Sequence, residues 1–286
     1  MAVILIGTSG WSYPKGEGAW NGTFYPAQVK TGQLSFFSQF FQTVEINTSF
    51  YRPLEQSMAQ KWVRETPPHF RFSVKLWQKF THPRMYREAT GEEAEVSVDD
   101  VTLFKKGMEP IVKAGRLVAL LAQFPASFTS SAQNWAILRA VVHHFGEYPL
   151  AIELRHKSWS DDTGTVEWFL QHNIAWVQID EPQFGSSVVC QNTPTAHLAY
   201  FRFHGRNKET WWSGDNESRY KYLYSTEELK ELIYRVQRAA ETADTVVAYF
   251  NNHWRGWAPR NAIEMKKELG QSYVDVPQGD PRSGLL

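Results

Sequence analysis

Eight short runs of strand character recur along the chain, and helix-patterned segments separate nearly all of them. The strand-like runs are residues 3–6, 43–48, 70–76, 117–123, 150–155, 175–180, 198–204 and 245–251. Helical patterns cover 33–41, 57–65, 99–113, 132–144, 163–172, 226–243 and 259–269. Asp99 or Asp100 reads as the N-cap of the third helix, Ser225 and Glu228 have capping-box spacing, and Pro259 and Gly270 bracket the last helix. The sixth connection, 181–197, holds Pro182, Gly185 and Pro194 without a helical period, so it reads as a loop in place of a helix. Strands that alternate with helices form a parallel sheet. Eight such units predict an α/β fold, a single (β/α)8 barrel of the TIM type over residues 1–276 with a tail at 277–286. A doubly wound open sheet is the alternative. No internal repeat, low-complexity linker or composition shift divides the chain.

Composition narrows the function classes. The formal net charge of +0 gives no global attraction to nucleic acid or to a membrane surface. A 42% hydrophobic share supports a sizeable core. The single cysteine, Cys190, rules out an intrachain disulfide framework or thiolate cluster. The start Met-Ala-Val-Ile-Leu-Ile-Gly lacks the basic and long apolar regions of a signal peptide. No apolar run reaches membrane-spanning length, so the expected location is the cytoplasm and no membrane partner is expected. The 12 Trp, 12 Tyr and 18 Phe predict an aromatic core, with a minority lining a cleft.

The chemistry gathers at the strand ends. Residues 150–156 read Leu-Ala-Ile-Glu-Leu-Arg-His, an apolar strand in which Glu153 and Arg155 stand two apart. Side chains alternate along a strand, so both point the same way. Opposite charges buried on one face need partners. The same spacing recurs in Glu45 with Asn47, Ser73 with Lys75, Gln178 with Asp180, and Arg202 with His204. At the C-terminal mouth of a barrel the shared face is the lumen, where such barrels place their sites. Glu45, Lys75, Glu153, Asp180 and His204 are therefore the candidate catalytic residues. Asn47, Gln123, Arg155, Arg202, Asn251 and Asn252 are candidate substrate contacts from the strand ends. Trp11, Tyr51, His82, Arg206 and Trp211 are candidates from the connections. A lumen layer in which Lys75, Glu153 and Arg155 only neutralise one another is the architectural alternative.

Two ligand signals are weaker. Gly205-Arg206 and Arg255-Gly256 follow strands seven and eight and place glycine and arginine near a helix N-terminus, where barrels often bind phosphate. His204, Glu45, Glu153 and Asp180 are metal-ligand types, but no His-x-His or His-Glu-x-x-His spacing is present and Lys75, Arg155 and Arg202 would repel a cation. The expectation is no metal and no cofactor. Neither a nucleophile motif nor a Gly-rich dinucleotide or Walker loop occurs.

Taken in order, these strand ends resemble the YecE-like family, also called domain of unknown function 72. The resemblance rests on Gly7-Thr-Ser-Gly-Trp-Ser-Tyr13, Gly22-Thr-Phe-Tyr-Pro26, Glu45-Ile-Asn-Thr-Ser-Phe-Tyr-Arg-Pro53, Phe72-Ser-Val-Lys75, Thr81-His82 and Gln123-Phe-Pro125. In the later half it rests on Ile152-Glu-Leu-Arg-His156 with Ser158-Trp159, Arg202-Phe-His-Gly-Arg206 and Tyr249-Phe-Asn-Asn252. It covers nearly the whole chain and implies a TIM-type barrel. The segment 207–219 departs from the pattern as an elongated, charged stretch, and a lid there would alter substrate choice.

These readings predict an enzyme of the hydrolase, lyase or isomerase kind. It would act on a small anionic, phosphate-bearing substrate. Lys75, Arg155, Arg202 and Arg206 would hold the anion, Glu45 or Glu153 would serve as base, and His204 as acid. A glycoside-cleaving enzyme using paired carboxylates is one alternative. A nucleic-acid-binding barrel, with bases stacked on the aromatics of 205–224, is another and less favoured one.

Overall fold

A computed structural model describes residues 2–191, 193–212 and 216–275. The tail expected at 277–286 lies outside the described residues. Nine parallel strands make one sheet: β1 (Val3–Ser9), β2 (Thr43–Ile46), β3 (Arg71–Lys75), β4 (Leu117–Gln123), β5 (Leu150–Glu153), β6 (Ala175–Trp176), β7 (Gln178–Asp180), β8 (Leu198–Phe203) and β9 (Thr245–Phe250). The order across the sheet is β6-β5-β4-β3-β2-β1-β9-β8-β7. Its two ends, β6 and β7, are halves of one extended segment interrupted at Val177. The Val177 amide still bonds the Ile152 carbonyl at 2.9 Å, so the chain itself closes the ring. The result is the (β/α)8 barrel of the TIM type, and the open-sheet alternative is set aside.

Major helices follow seven of the eight strand units: Gln33–Phe37, Gln56–Glu65, Val98–Lys113, Ala132–Phe145, Thr163–Gln171, Thr226–Ala240 and Trp257–Glu268. After the sixth, the described residues of 181–197 contain no helix, matching the missing helical period of that segment. Helix starts differ from expectation in two places. Ser97, not Asp99 or Asp100, caps the third major helix, with Asp100 closing the capping box. The last helix begins at Trp257 after Gly256, which puts Pro259 at its third position. Ser225 and Glu228 form the expected box. Several strands end earlier than their apolar runs, because short helices take over: Thr48–Tyr51 after β2, and Gln78–Thr81 with Pro83–Thr90 after β3. Among the described residues no helix is long and apolar enough to cross a membrane.

The aromatic residues divide as their neighbours dictate. Trp20, Phe24 and Tyr25 of the first connection fold back as a lid on Phe36, Phe37, Phe40 and Phe41 and are fully buried. Trp11 and Tyr13 remain at the barrel mouth. Inside the barrel, Tyr249 joins Thr43 at 2.7 Å and Ser73 at 2.9 Å, and Tyr200 packs on Tyr249. β1 and β2 approach closely at Gly7 because it lacks a Cβ, which would stand 2.2 Å from the Thr43 carbonyl oxygen.

Candidate active site

Strand register decides which side chains share the lumen, because paired residues of a parallel sheet face the same side. Glu45 pairs with Ser73 and with Ser9, Gln123 with Glu153, and Arg202 with Tyr249. All these side chains point inward. Lys75, at the end of β3, follows the same alternation, and Asn47, Arg155, His204 and Asn251 continue it past the strand ends.

The centre is Arg202, which is 2% exposed. Its Nε and Nη2 donate to the two oxygens of Glu45 at 3.0 and 2.8 Å, and its Nη1 donates to Glu153 at 2.6 Å. Tyr200 donates to Glu45 at 2.7 Å. Arg155 Nε donates to the other Glu153 oxygen at 2.7 Å, and its Nη1 lies 3.2 Å from Glu181. Burial alone would raise both Glu45 and Glu153. Arg202 outweighs it at Glu45, and Arg202 with Arg155 outweighs it strongly at Glu153, so both carboxyls sit below the usual range. Neither is poised to take or give a proton near neutrality.

Arg155 Nη2 also lies 3.1 Å from His204 Nε2, and the Asn251 amide lies 3.0 Å from Nδ1. A guanidinium can only donate, so Nε2 accepts and the neutral ring carries its proton on Nδ1. The hydrogen-bond network then turns the Asn251 amide oxygen toward that proton. Burial first, and the Arg155 charge second, lower His204 to about 4. His204 is thus a neutral brace at pH 7 rather than the expected acid. A folded-state pKa below the unfolded one means that the unfolded chain protonates first, so His204 costs stability as pH falls from about 6.5 toward 4. Ring-resonance NMR is expected to show no His204 titration between about pH 5.5 and 8. A midpoint near 6.5 would remove the Arg155 clamp from this account.

Two groups are tuned toward neutrality. Burial, with Arg202 next, lowers Lys75 to about 7. Its ammonium lies 4.1 Å from the Phe50 ring centroid and has no hydrogen-bond or ion-pair partner among the described residues. Burial raises Glu181 to about 7 against the opposing Arg155 charge, since that 3.2 Å contact is not aligned as a hydrogen bond.

Above this cluster lies a pocket of about 440 Å³, open to solvent. Lys75, Arg155 and Arg202 form its floor, Asn47, Gln123 and Asn251 its polar rim, and Trp11, Phe50, Tyr51 and Tyr220 its walls. Asn47 Oδ1 is buried without a hydrogen-bond partner. His253 stacks on Tyr13 at 4.4 Å and completes one side.

Several expected residues lie elsewhere. Gln178 and Asp180 pair with Phe201 and Phe203, which point outward, so both face away from the lumen. Asp180 instead accepts from Arg206 at 2.9 and 3.0 Å and from the Tyr224 hydroxyl at 2.8 Å. Arg206 is further held by Glu228 and Glu231, which leaves it no role on the pocket floor. Asn252 is fully buried and bonds the Tyr222 carbonyl and Asn261. Trp211 is buried behind His204, and His82 sits behind Gln123, 3.3 Å from its amide nitrogen. The phosphate positions are occupied too. The Gly205 amide donates to Tyr224, Arg255 donates to the Glu17 carbonyl, and Gly256 abuts Phe24 and Thr23. Among the described residues no three His, Cys, Asp or Glu side chains gather as a metal-ligand set.

Sequence reasoning missed Glu181, Phe50, Tyr220 and His253. Glu181 was findable. Residues 178 and 180 pair with the outward Phe201 and Phe203, and the alternation then brings 181 inward.

Fold and site together define a TIM-type barrel with an ion-paired lumen beneath an open, cation-floored pocket. The chain belongs to the family described as "Protein of unknown function DUF72", whose model matches residues 5–284. It is 30% identical over 282 residues to the UPF0759 protein YunF of Bacillus subtilis, covering 95% of this chain and 96% of that one. It is 27% identical over 156 residues to the UPF0759 protein YecE of Escherichia coli K12, covering 54% and 49%. A DUF72 family protein of Thermotoga maritima superposes with a TM-score of 0.81 at 36% identity, covering 94% of this chain and all of that one. Another from Enterococcus faecalis gives 0.78 at 26%, covering 95% and 99%.

Proposed function

We propose that the protein is an enzyme whose barrel mouth binds a small anionic, phosphate-bearing substrate and moves protons on it through Lys75. The observation that carries this reading is the unpartnered Lys75 ammonium on the pocket floor, beside Arg155 and Arg202. Glu45 and Glu153 hold the two guanidiniums in place on the pocket floor. An arriving anion supplies the partner that Lys75 lacks, and Asn47 Oδ1 accepts from a substrate hydroxyl.

Both alternatives lose the residues they need. A glycosidase requires one protonated carboxyl at the substrate; Glu45 and Glu153 are clamped by Arg202, and Glu181, though raised to about 7, faces Arg155 and does not line the pocket. A base-stacking stripe at 205–224 requires several open aromatics beside free arginines, whereas Trp211 is buried, Arg206 is surrounded by carboxylates, and Trp212 is the exposed tryptophan left there. Glycerol 3-phosphate is expected to raise the unfolding midpoint saturably and plain glycerol to leave it unchanged. At a hundredfold excess over Kd a ligand adds about 2.7 kcal/mol, a shift of roughly 5 °C for a chain of this size. No shift with any small phosphate ester or carboxylate would sink the anion reading.

A further inference from the structure

We infer that Lys75 is an amine nucleophile, and that the substrate is a carbonyl compound bearing the anion, held as a Schiff base on Nζ. This rests on the anion reading above and narrows its substrate class. The other well-covered lysines mark the contrast. Lys79 donates to both oxygens of Asp100 at 3.0 and 2.9 Å, and Lys266 donates to the Phe40 carbonyl at 2.6 Å. Lys75 has only the Phe50 ring face at 4.1 Å, which neither accepts a conventional hydrogen bond nor neutralises a charge. Lys75 is half-buried on the pocket floor and its Nζ meets no protein acceptor there among the described residues, so its proton is held less firmly than on a fully solvated lysine. Burial and the Arg202 charge weaken its hold on a proton, Glu153 and Glu45 oppose them, and the balance leaves the amine at about 7.

The geometry supplies the rest of what condensation needs. Lys75 ends β3 and points into the pocket, so a carbonyl carbon can reach Nζ from solvent. Trp11, Tyr51 and Tyr220 wall the approach, and Asn47 Oδ1 awaits a donor such as a hydroxyl beside the carbonyl. Arg155, on the pocket floor, remains to hold the anion after Lys75 has been consumed. In the step, the Nζ lone pair forms the bond to the carbonyl carbon. Both amine protons leave with the carbonyl oxygen as water, and an imine remains. Protonation of the imine nitrogen gives an iminium, the electron sink for losing a proton or breaking a bond at the neighbouring carbon. No oxidant or reductant takes part in the native step.

The test is reductive trapping. Protein is incubated with glyceraldehyde 3-phosphate and sodium cyanoborohydride, then read by intact mass and peptide mapping. Plain glyceraldehyde is the uncharged probe, glycerol 3-phosphate the competitor that carries no carbonyl, and Lys75→Met the control. The expected result is one dominant adduct, on Lys75, suppressed by glycerol 3-phosphate and lost in the variant. Mapping on the wild-type chain gives the answer even where the variant folds poorly. Adducts scattered over surface lysines, with glycerol 3-phosphate still stabilising the protein, would overturn the Schiff-base inference and leave the anion reading standing. A Lys75 adduct formed equally well by plain glyceraldehyde and indifferent to competitor would keep the nucleophile and overturn the anion reading. Neither adduct nor stabilisation would overturn both.

Discussion

Arg202→Met is expected to cost about 3–5 kcal/mol of folding stability at pH 7, the penalty for removing one partner of a buried ion pair. The consequence is uneven. Glu153 keeps Arg155, whereas Glu45 keeps only the Tyr200 hydroxyl and the distant charge of Lys75. Glu45 is therefore the stranded charge, and its carboxyl will rise in pKa in the variant. The sign of the pH dependence follows. In the wild type the depressed carboxyls contribute stability above their unfolded value of about 4.5, and lose it as pH falls through their folded values. In the variant the raised Glu45 binds a proton more readily when folded, so the deficit against wild type narrows between about pH 7 and 5. Denaturant midpoints at the two pH values measure this. Adding Glu45→Gln to Arg202→Met is expected to recover part of the loss, and strict additivity of the two changes would show that the pair is not coupled.

Lys75→Met is expected to stabilise the protein by roughly 2 kcal/mol at pH 7 while weakening its response to anions. Folding lowers Lys75 from 10.5 to about 7, so the folded chain binds this proton less well than the unfolded chain. Such a group costs stability once pH falls below 10.5, and the cost is fully present near and below 7. Methionine fills a similar volume without the charge. The gain should be largest near pH 7 and fade toward pH 10.5. Unfolding midpoints across that range, with and without glycerol 3-phosphate, read both effects at once. A destabilised variant would show that Lys75 is a structural member of the lumen charge layer, the alternative that the sequence also allowed. Stability gained together with binding weakened is the signature of a residue kept for function.

The two experiments separate roles that look alike in the sequence. Glu45, Lys75, Glu153, Arg155 and Arg202 are all charged residues at strand ends. Arg202 and the two glutamates neutralise one another almost completely, so their removal is read as stability. Lys75 is left over, so its removal is read as binding. The number of available partners distinguishes them, and that number depends on four strands brought together.

Much of the fold was determined by the sequence alone. Alternating strand and helix patterns, the prolines of 181–197 and the two-residue spacing of polar side chains are local, and local periodicity dictates which face a residue occupies. That is why Glu45, Lys75, Glu153, Arg155, Arg202, His204 and Asn251 fall into one lumen as expected. Tertiary structure decided the rest. Asp180 and Arg206 have the same chemistry as the lumen residues, but the break at Val177 and the absent helix turn them outward to one another. Glu181 takes the inward place. Whether a carboxyl acts as a base, or an imidazole as an acid, follows from which cations stand within a few ångströms, and these come from strands far apart in sequence. Spacing along the chain fixes direction; proton affinity and unmet hydrogen bonds are set across the barrel, where only the closed fold brings the partners together.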